Sequence, residues 1–179
     1  RKTFPSSRYR NKWYCIAVDG SGAVSFDQKH CDQCLHKTSK KGKVTYSHQV
    51  LDARLVTPNG FSVSVTTVWI ENPAEGDYDK QDCERKAFHR LAEKLKQAFP
   101  HLPILIQADG LYPYEGFFQV CRDYGWAFTT TFKEGNLPTV WREVHALKPL
   151  QSGQTRTETR YEPGQYDWTT IRSDYEWVS

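Results

Sequence analysis

The chain has 179 residues, of which 38% are hydrophobic and 25% charged, a composition that suits one folded domain with a substantial core. Six Trp, ten Tyr and nine Phe argue against disorder, and no apolar run reaches the roughly 18–20 residues a membrane span needs. A formal net charge of +3 is too small for bulk electrostatics to name a nucleic-acid partner.

The start, "RKTFPSSRYRNKW", is basic and has no apolar stretch of the secretory kind. Arg1, Lys2, Arg8, Arg10 and Lys12 crowd residues 1–12, and Lys37, Lys40, Lys41 and Lys43 crowd one loop. Such patches suit either phosphate contacts or an ordinary solvated surface. The chain begins at Arg1, contains no Met and ends on strand-like "DYEWVS", so the expectation is a piece of a longer protein.

In chain order, residues 13–18 predict a strand bounded by "DGSG", and 27–43 read as a polar, Lys-rich loop. Residues 44–57 and 61–70 are β-branched and aromatic, with Pro58-Asn59-Gly60 between them, which predicts a hairpin. Asp82 then caps a helix that Pro100 stops, with Cys83, Ala87, Phe88, Leu91, Leu95, Ala98 and Phe99 on one stripe. A strand at 103–108, a helix at 114–124, a strand at 126–132 and a helix at 137–147 opened by Pro138 follow. Residues 148–179 alternate again and read as a β-rich appendage. The order β-β-β-α-β-α-β-α predicts an α/β fold, a mixed sheet whose three antiparallel strands precede α/β units, flanked by helices.

Two apolar segments finish on Asp-Gly: "CIAVDG" at 15–20 and "ILIQADG" at 104–110. In an open α/β sheet, ligands collect beyond the carboxyl ends of strands. If the two strands lie parallel and adjacent, Asp19 and Asp109 meet at one edge, and a divalent cation such as Mg²⁺ would relieve their repulsion. Gly20 and Gly110 would supply positive φ and close approach. The alternative is ordinary turn chemistry.

Cysteines at 15, 31, 34, 83 and 121 are odd in number and poorly spaced for a disulfide framework, and Cys15 and Cys83 read as buried thiols. His30-Cys31-x-x-Cys34-x-His36, with His48 further on, has the donor types of a tetrahedral zinc site. The open choices are Cys31 and Cys34 with two of His30, His36 and His48, or a surface loop without metal. His48 also reads as a hydrogen-bonded core histidine. A redox role is disfavoured because the C-x-x-C does not open a helix after a strand.

Six motifs stand in order: "VDGSG" (18–22), "HCDQC" (30–34), "YSHQVL" (46–51), "KQDCE" (80–84), "ADGLY" (108–112) and "FKEG" (132–135). Together, across about residues 13–147, they resemble the catalytic domain of insertion-sequence DDE transposases, of the group with a β-rich insertion in the core. The resemblance implies a ribonuclease-H-like fold at 13–147, preceded by the basic segment 1–12 and followed by the start of the insertion at 148–179. It implies DNA cleavage and strand transfer at transposon ends with a Mg²⁺ or Mn²⁺ pair, transposon and target DNA as partners, a homodimer on DNA, and a cytoplasmic, DNA-associated protein of bacterial or archaeal type. Asp19 and Asp109 match the first two acids. The family's third acid is a Glu on a helix after the insertion; Glu134, Glu143, Glu158, Glu162 and Glu176 lack its context, so the fragment is expected to be inactive alone.

Asp82 and Glu84 are explained as a cap and a first-turn residue suited to the helix dipole, although the family pattern turns one toward the site. Lys133 and Arg142, with Arg10 and Lys12, could touch the DNA backbone or simply be solvated. Arg156 and Arg160 share a strand face with Glu158, which suits cross-strand ion pairs. The rival readings are a ribonuclease-H-like nuclease or resolvase without strand transfer, and a non-catalytic DNA- or metal-binding module. An adhesion-type D-x-S-x-S loop fails because Ala23 stands where its second serine belongs.

Overall fold

The computed structural model describes residues 8–71, 80–133, 135, 137–151, 153–164 and 167–178, the side chains of 80–83 excepted. The chain divides into two compact units, Arg1–Lys133 and Glu134–Ser179. No helix among the described residues is long and apolar enough to cross a membrane.

The first unit is a mixed sheet with two helices. Its strands are β1 (Tyr14–Phe26), β2 (Leu35–Thr38), β3 (Val44–Val56), β4 (Ser62–Ile70), β5 (Ile104–Ala108) and β6 (Ala127–Thr130), and its helices are α1 (Lys80–Ala98) and α2 (Glu115–Tyr124). The sheet order is β2-β3-β1-β5-β6, with β4 also paired to β3. β1, β2 and β4 run antiparallel to β3, whereas β5 runs parallel to both β1 and β6.

Period-two residues from four strands build the core. Ile16 and Val18, Leu51 and Ala53, Val68 and Ile70, and Ile104 and Ile106 are buried. Ala87, Phe88, Leu91, Ala92 and Leu95 of α1 and Phe117 and Cys121 of α2 join the same cluster. The expected stripe on α1 is therefore present through Leu95, while Ala98 is exposed and Phe99 only half-buried. The proposed cap at Asp82 and the burial of Cys83 lie outside the described side chains. Gly125 ends α2 in the left-handed region at φ 68°, where its N–H reaches the carbonyls of Arg122 and Cys121.

Two expectations need correction. β1 continues to Phe26 instead of stopping at Val18, because β3 is long enough to pair with it from Cys15 to Phe26, across an irregularity between Gly22 and Val24. Part of the Lys-rich loop is also a strand, since Leu35–Thr38 adds to the free edge of β3 at Ser47–Val44.

In the second unit, α3 (Pro138–Leu147) is followed by a 3-10 turn (Lys148–Gln151) and by the antiparallel pair β7 (Thr155–Pro163) and β8 (Trp168–Glu176). The β-rich appendage is this hairpin. Its ion pairs run along strands rather than across them: Arg156–Glu158 at 2.6 Å, Arg160–Glu162 at 3.1 Å and Arg172–Asp174 at 3.2 Å. Residues two apart share a strand face, so these long side chains reach their own neighbours. All six are well exposed, and such pairs contribute only about 0–1 kcal/mol each.

Candidate metal centres: an acidic strand junction and a Cys-Cys-His cluster

β1 and β5 pair in parallel from Tyr14–Ile104 to Val18–Ala108. The next residue on each strand is an aspartate, so Asp19 and Asp109 leave the shared ladder at the same level, on strands about 4.8 Å apart. Both residues are exposed. Their local settings differ. Asp109 follows the end of β5, its Oδ1 accepts the Leu111 N–H at 2.9 Å, and its carbonyl accepts the Thr130 hydroxyl at 2.7 Å. That is the Asx-turn chemistry open to a strand-ending Asp. Asp19 sits in mid-strand and is paired with Asp52 of β3.

The pairing with Asp52 was not anticipated. Directly opposed residues of an antiparallel pair share a face, and like charges there repel. Arg54 lies 3.2 Å from the Asp52 carboxylate, which also accepts the Ser64 hydroxyl. An acid in mid-strand within "VLDARLV" was the only available signal.

Glu84, read from sequence as a first-turn residue that the family pattern turns, with Asp82 as the alternative, toward the site, is buried. It is 5% exposed, the buried charged residue among those described, although its place in the first turns of α1 had a sufficient explanation in the helix dipole. A Cβ at Gly20 would stand 3.0 Å from Glu84 Oε1, so this glycine makes room for the carboxylate. A Cβ at Gly110 would meet Lys133 Cε at 2.8 Å and the Thr131 carbonyl at 3.2 Å. Neither glycine has positive φ. Their requirement is space, which corrects the expectation of left-handed backbone.

Tyr112 links these groups. It is 2% exposed, its hydroxyl is buried with no hydrogen-bond partner among the described residues, and its ring packs on Phe88 and Phe117 at 5.5 and 5.8 Å. Burial raises its pKa, and the charges of Glu84, Asp109 and Asp19 add to the rise. The hydroxyl therefore senses all three carboxylates.

The second cluster lies where β1, β2 and β3 meet. Cys31 Sγ and Cys34 Sγ are 3.8 Å apart, and His48 Nε2 is 3.4 Å from the first and 3.5 Å from the second. His48 is thus a partner of the cysteine pair rather than a core histidine. The antiparallel register explains the meeting: Leu35 pairs with Ser47, so Cys34 stands level with His48 just beyond the end of β2. Burial opposes ionisation of Cys34, but N–H groups of Cys31 and His30, the Cys31 thiol and the charge of Lys29 outweigh it and hold the thiol below its ordinary value. The Cys31 N–H reaches Cys34 Sγ at 3.4 Å. This group could bind a metal such as zinc, and it is the one set of three His, Cys or acidic side chains among the described residues whose ligand atoms all lie within 4.8 Å. His30 is outside that set, stacked on Phe26 at 4.8 Å, and His36 packs toward Tyr46. A cavity of about 410 Å³ adjoins the cluster, lined by Gln33, His48, Trp69, Ile70 and Glu71.

Of the residues considered for DNA contact, Arg10, Lys12, Lys133 and Arg142 are all exposed. Arg10 and Lys12 lie over the rings of Tyr9 and Trp13 at 5.5 and 4.3 Å. Lys133 runs over Gly110, next to Asp109. Arg142 belongs to α3 in the second unit.

No protein-family model and no curated protein matches the chain. Among solved structures, a chain of the simian T-cell lymphotropic virus intasome in complex with PP2A regulatory subunit B56 gamma is similar at 14% identity and a TM-score of 0.34. The match covers 76% of this chain and 40% of that one, so the present chain spans less than half its length. A likeness this weak establishes neither a shared fold nor a shared activity.

Proposed function

We propose that the first unit is the ribonuclease-H-like core of a DDE-type DNA transposase and that Asp19 and Asp109 hold its divalent cations. One observation carries this reading: the parallel β1–β5 ladder ends at Val18 and Ala108, delivering Asp19 and Asp109 side by side and exposed. A mixed sheet, with β1–β4 antiparallel and β5 and β6 added in parallel beyond β1, supports the reading. An oxygen-only donor set of carboxylates suits Mg²⁺ or Mn²⁺ rather than a soft metal.

When bound, a pair of such ions would activate a water or 3′-hydroxyl and stabilise the leaving oxygen of a DNA phosphodiester. The chain's own residues set the stage. Asp109 is held by its turn, Asp19 by its pairing with Asp52 of β3, and Glu84 brings a third carboxylate toward Gly20. Gly20 and Gly110 keep the junction open. Arg10 and Lys12, both exposed in the first unit, are cations suited to DNA phosphates.

The test is Mn²⁺ binding by the whole chain, wild type against Asp19→Asn and Asp109→Asn, followed by cleavage and strand-transfer assays on DNA. Either substitution should weaken Mn²⁺ binding at least about tenfold, the scale of one lost charged ligand interaction. Binding unchanged in both folded variants would sink the assignment. In the full-length protein, hydrolysis without end-joining would favour the nuclease or resolvase alternative, and DNA binding without any cleavage the non-catalytic one.

A further inference from the structure

We propose that Cys31, Cys34 and His48 hold a structural zinc ion, completed by His30, that clips the 27–34 segment onto β3. The inference rests on the geometry of the cluster and is independent of the proposed function.

Zinc binds thiolate sulfur at about 2.3 Å and imidazole nitrogen at about 2.0–2.1 Å, so tetrahedral angles place two sulfurs about 3.8 Å apart and sulfur and nitrogen about 3.5–3.6 Å apart. The observed separations are 3.8 Å between the sulfurs and 3.4 and 3.5 Å from sulfur to nitrogen. All three pairs therefore match the edges of one tetrahedron. A disulfide would need its sulfurs about 2.0 Å apart. The backbone bends accordingly: Cys34 N–H reaches the Cys31 carbonyl at 3.2 Å while Cys31 N–H reaches Cys34 Sγ at 3.4 Å, a tight knuckle around one sulfur.

His30 is the candidate for the fourth position. It directly precedes Cys31, and its exposed ring stacks on Phe26, the same ring that His48 meets edge-on at 6.1 Å. His36 is less well placed, since it pairs with Tyr46, two residues along β3 from His48. Sulfur and nitrogen donors favour zinc over Mg²⁺ or Mn²⁺, so this ion would be distinct from those at Asp19 and Asp109. Outside the buried Cys34 and Leu35, residues 27–35 are exposed. A metal would supply the anchorage that apolar packing does not.

The experiment measures zinc content of the purified full chain under reducing conditions, then the visible and charge-transfer spectrum after Co²⁺ exchange. One zinc per chain and a tetrahedral, thiolate-rich cobalt spectrum are expected. Cys34→Ser and His48→Gln should lose the metal, and His30→Gln should lose the tetrahedral spectrum, with circular dichroism checking that each variant is folded. Chelation of the wild type should lower its melting temperature, and re-addition of Zn²⁺ should restore it. The proposal is overturned by a metal-free wild type, by a Cys31–Cys34 disulfide in place of two metal-bound thiolates, or by zinc retained in both Cys34→Ser and His48→Gln. A four-coordinate cobalt spectrum that persists unchanged in His30→Gln removes His30 from the site.

Discussion

Replacing Tyr112 by Phe deletes one oxygen from the centre of the first unit and should make the protein more stable. The hydroxyl is buried with no hydrogen-bond partner among the described residues, and an unsatisfied buried hydroxyl costs about 1–3 kcal/mol. The ring contacts with Phe88 and Phe117 survive the change. A gain of about 1 kcal/mol is expected at neutral pH, at the lower end of that range because the ring shifts little. The gain should then grow in alkali. Burial and the nearby Glu84, Asp109 and Asp19 charges raise the folded-state pKa above the ordinary value of 10.0. Above that value the unfolded tyrosine loses its proton while the folded one keeps it, so wild-type stability falls by up to about 1.4 kcal/mol per pH unit from this group. Phenylalanine has no such loss. Tyr114 and Cys121, whose pKa values burial pushes up to about 12, remain in both proteins and cancel in the difference. Urea unfolding of both proteins at about pH 7, 9 and 10.5 gives the comparison by linear extrapolation. A variant less stable than wild type at neutral pH would refute the reasoning, because the hydroxyl would then have a partner. An advantage that stays flat through pH 10.5 would refute the electrostatic part.

Phe117, fully buried against Phe88, Tyr112, Phe118 and Phe128, should cost about 3–5 kcal/mol in urea unfolding when changed to Ala. Gly20→Ala should lose about 1–2 kcal/mol by crowding Glu84, and a double-mutant cycle should show most of that loss vanishing in a Glu84→Ala background. Gly125→Ala, at φ 68°, should lose about 1 kcal/mol in the same measurement, with no effect on Mn²⁺ binding.

Local period made most elements readable. Ile16 and Val18 alternate with polar or less buried neighbours, Ala87, Phe88, Leu91 and Leu95 recur at helical spacing, and Pro58-Asn59-Gly60 and Gly125 mark reversals that only a few residue types permit. The same local view misread Asp19 as a strand terminus, because Asp-Gly is a turn pair unless a partner strand holds it extended. That partner, β3, is supplied from more than twenty residues away.

What the sequence determined by itself was therefore the elements and the chemical types available: two Asp-Gly pairs, a C-x-x-C and several histidines. Which of them meet was decided by tertiary structure. The β1–β5 ladder ends with Asp19 and Asp109, 90 positions apart, next in line on adjacent strands, the β1–β3 register sets Asp52 opposite Asp19, α1 buries Glu84 against Gly20, and the β2–β3 register selects His48 over His36 for the cysteines. The physical reason is that periodicity reports the conformation of a segment's own backbone, whereas register is a property of two segments and is settled only when both faces of the sheet find their neighbours.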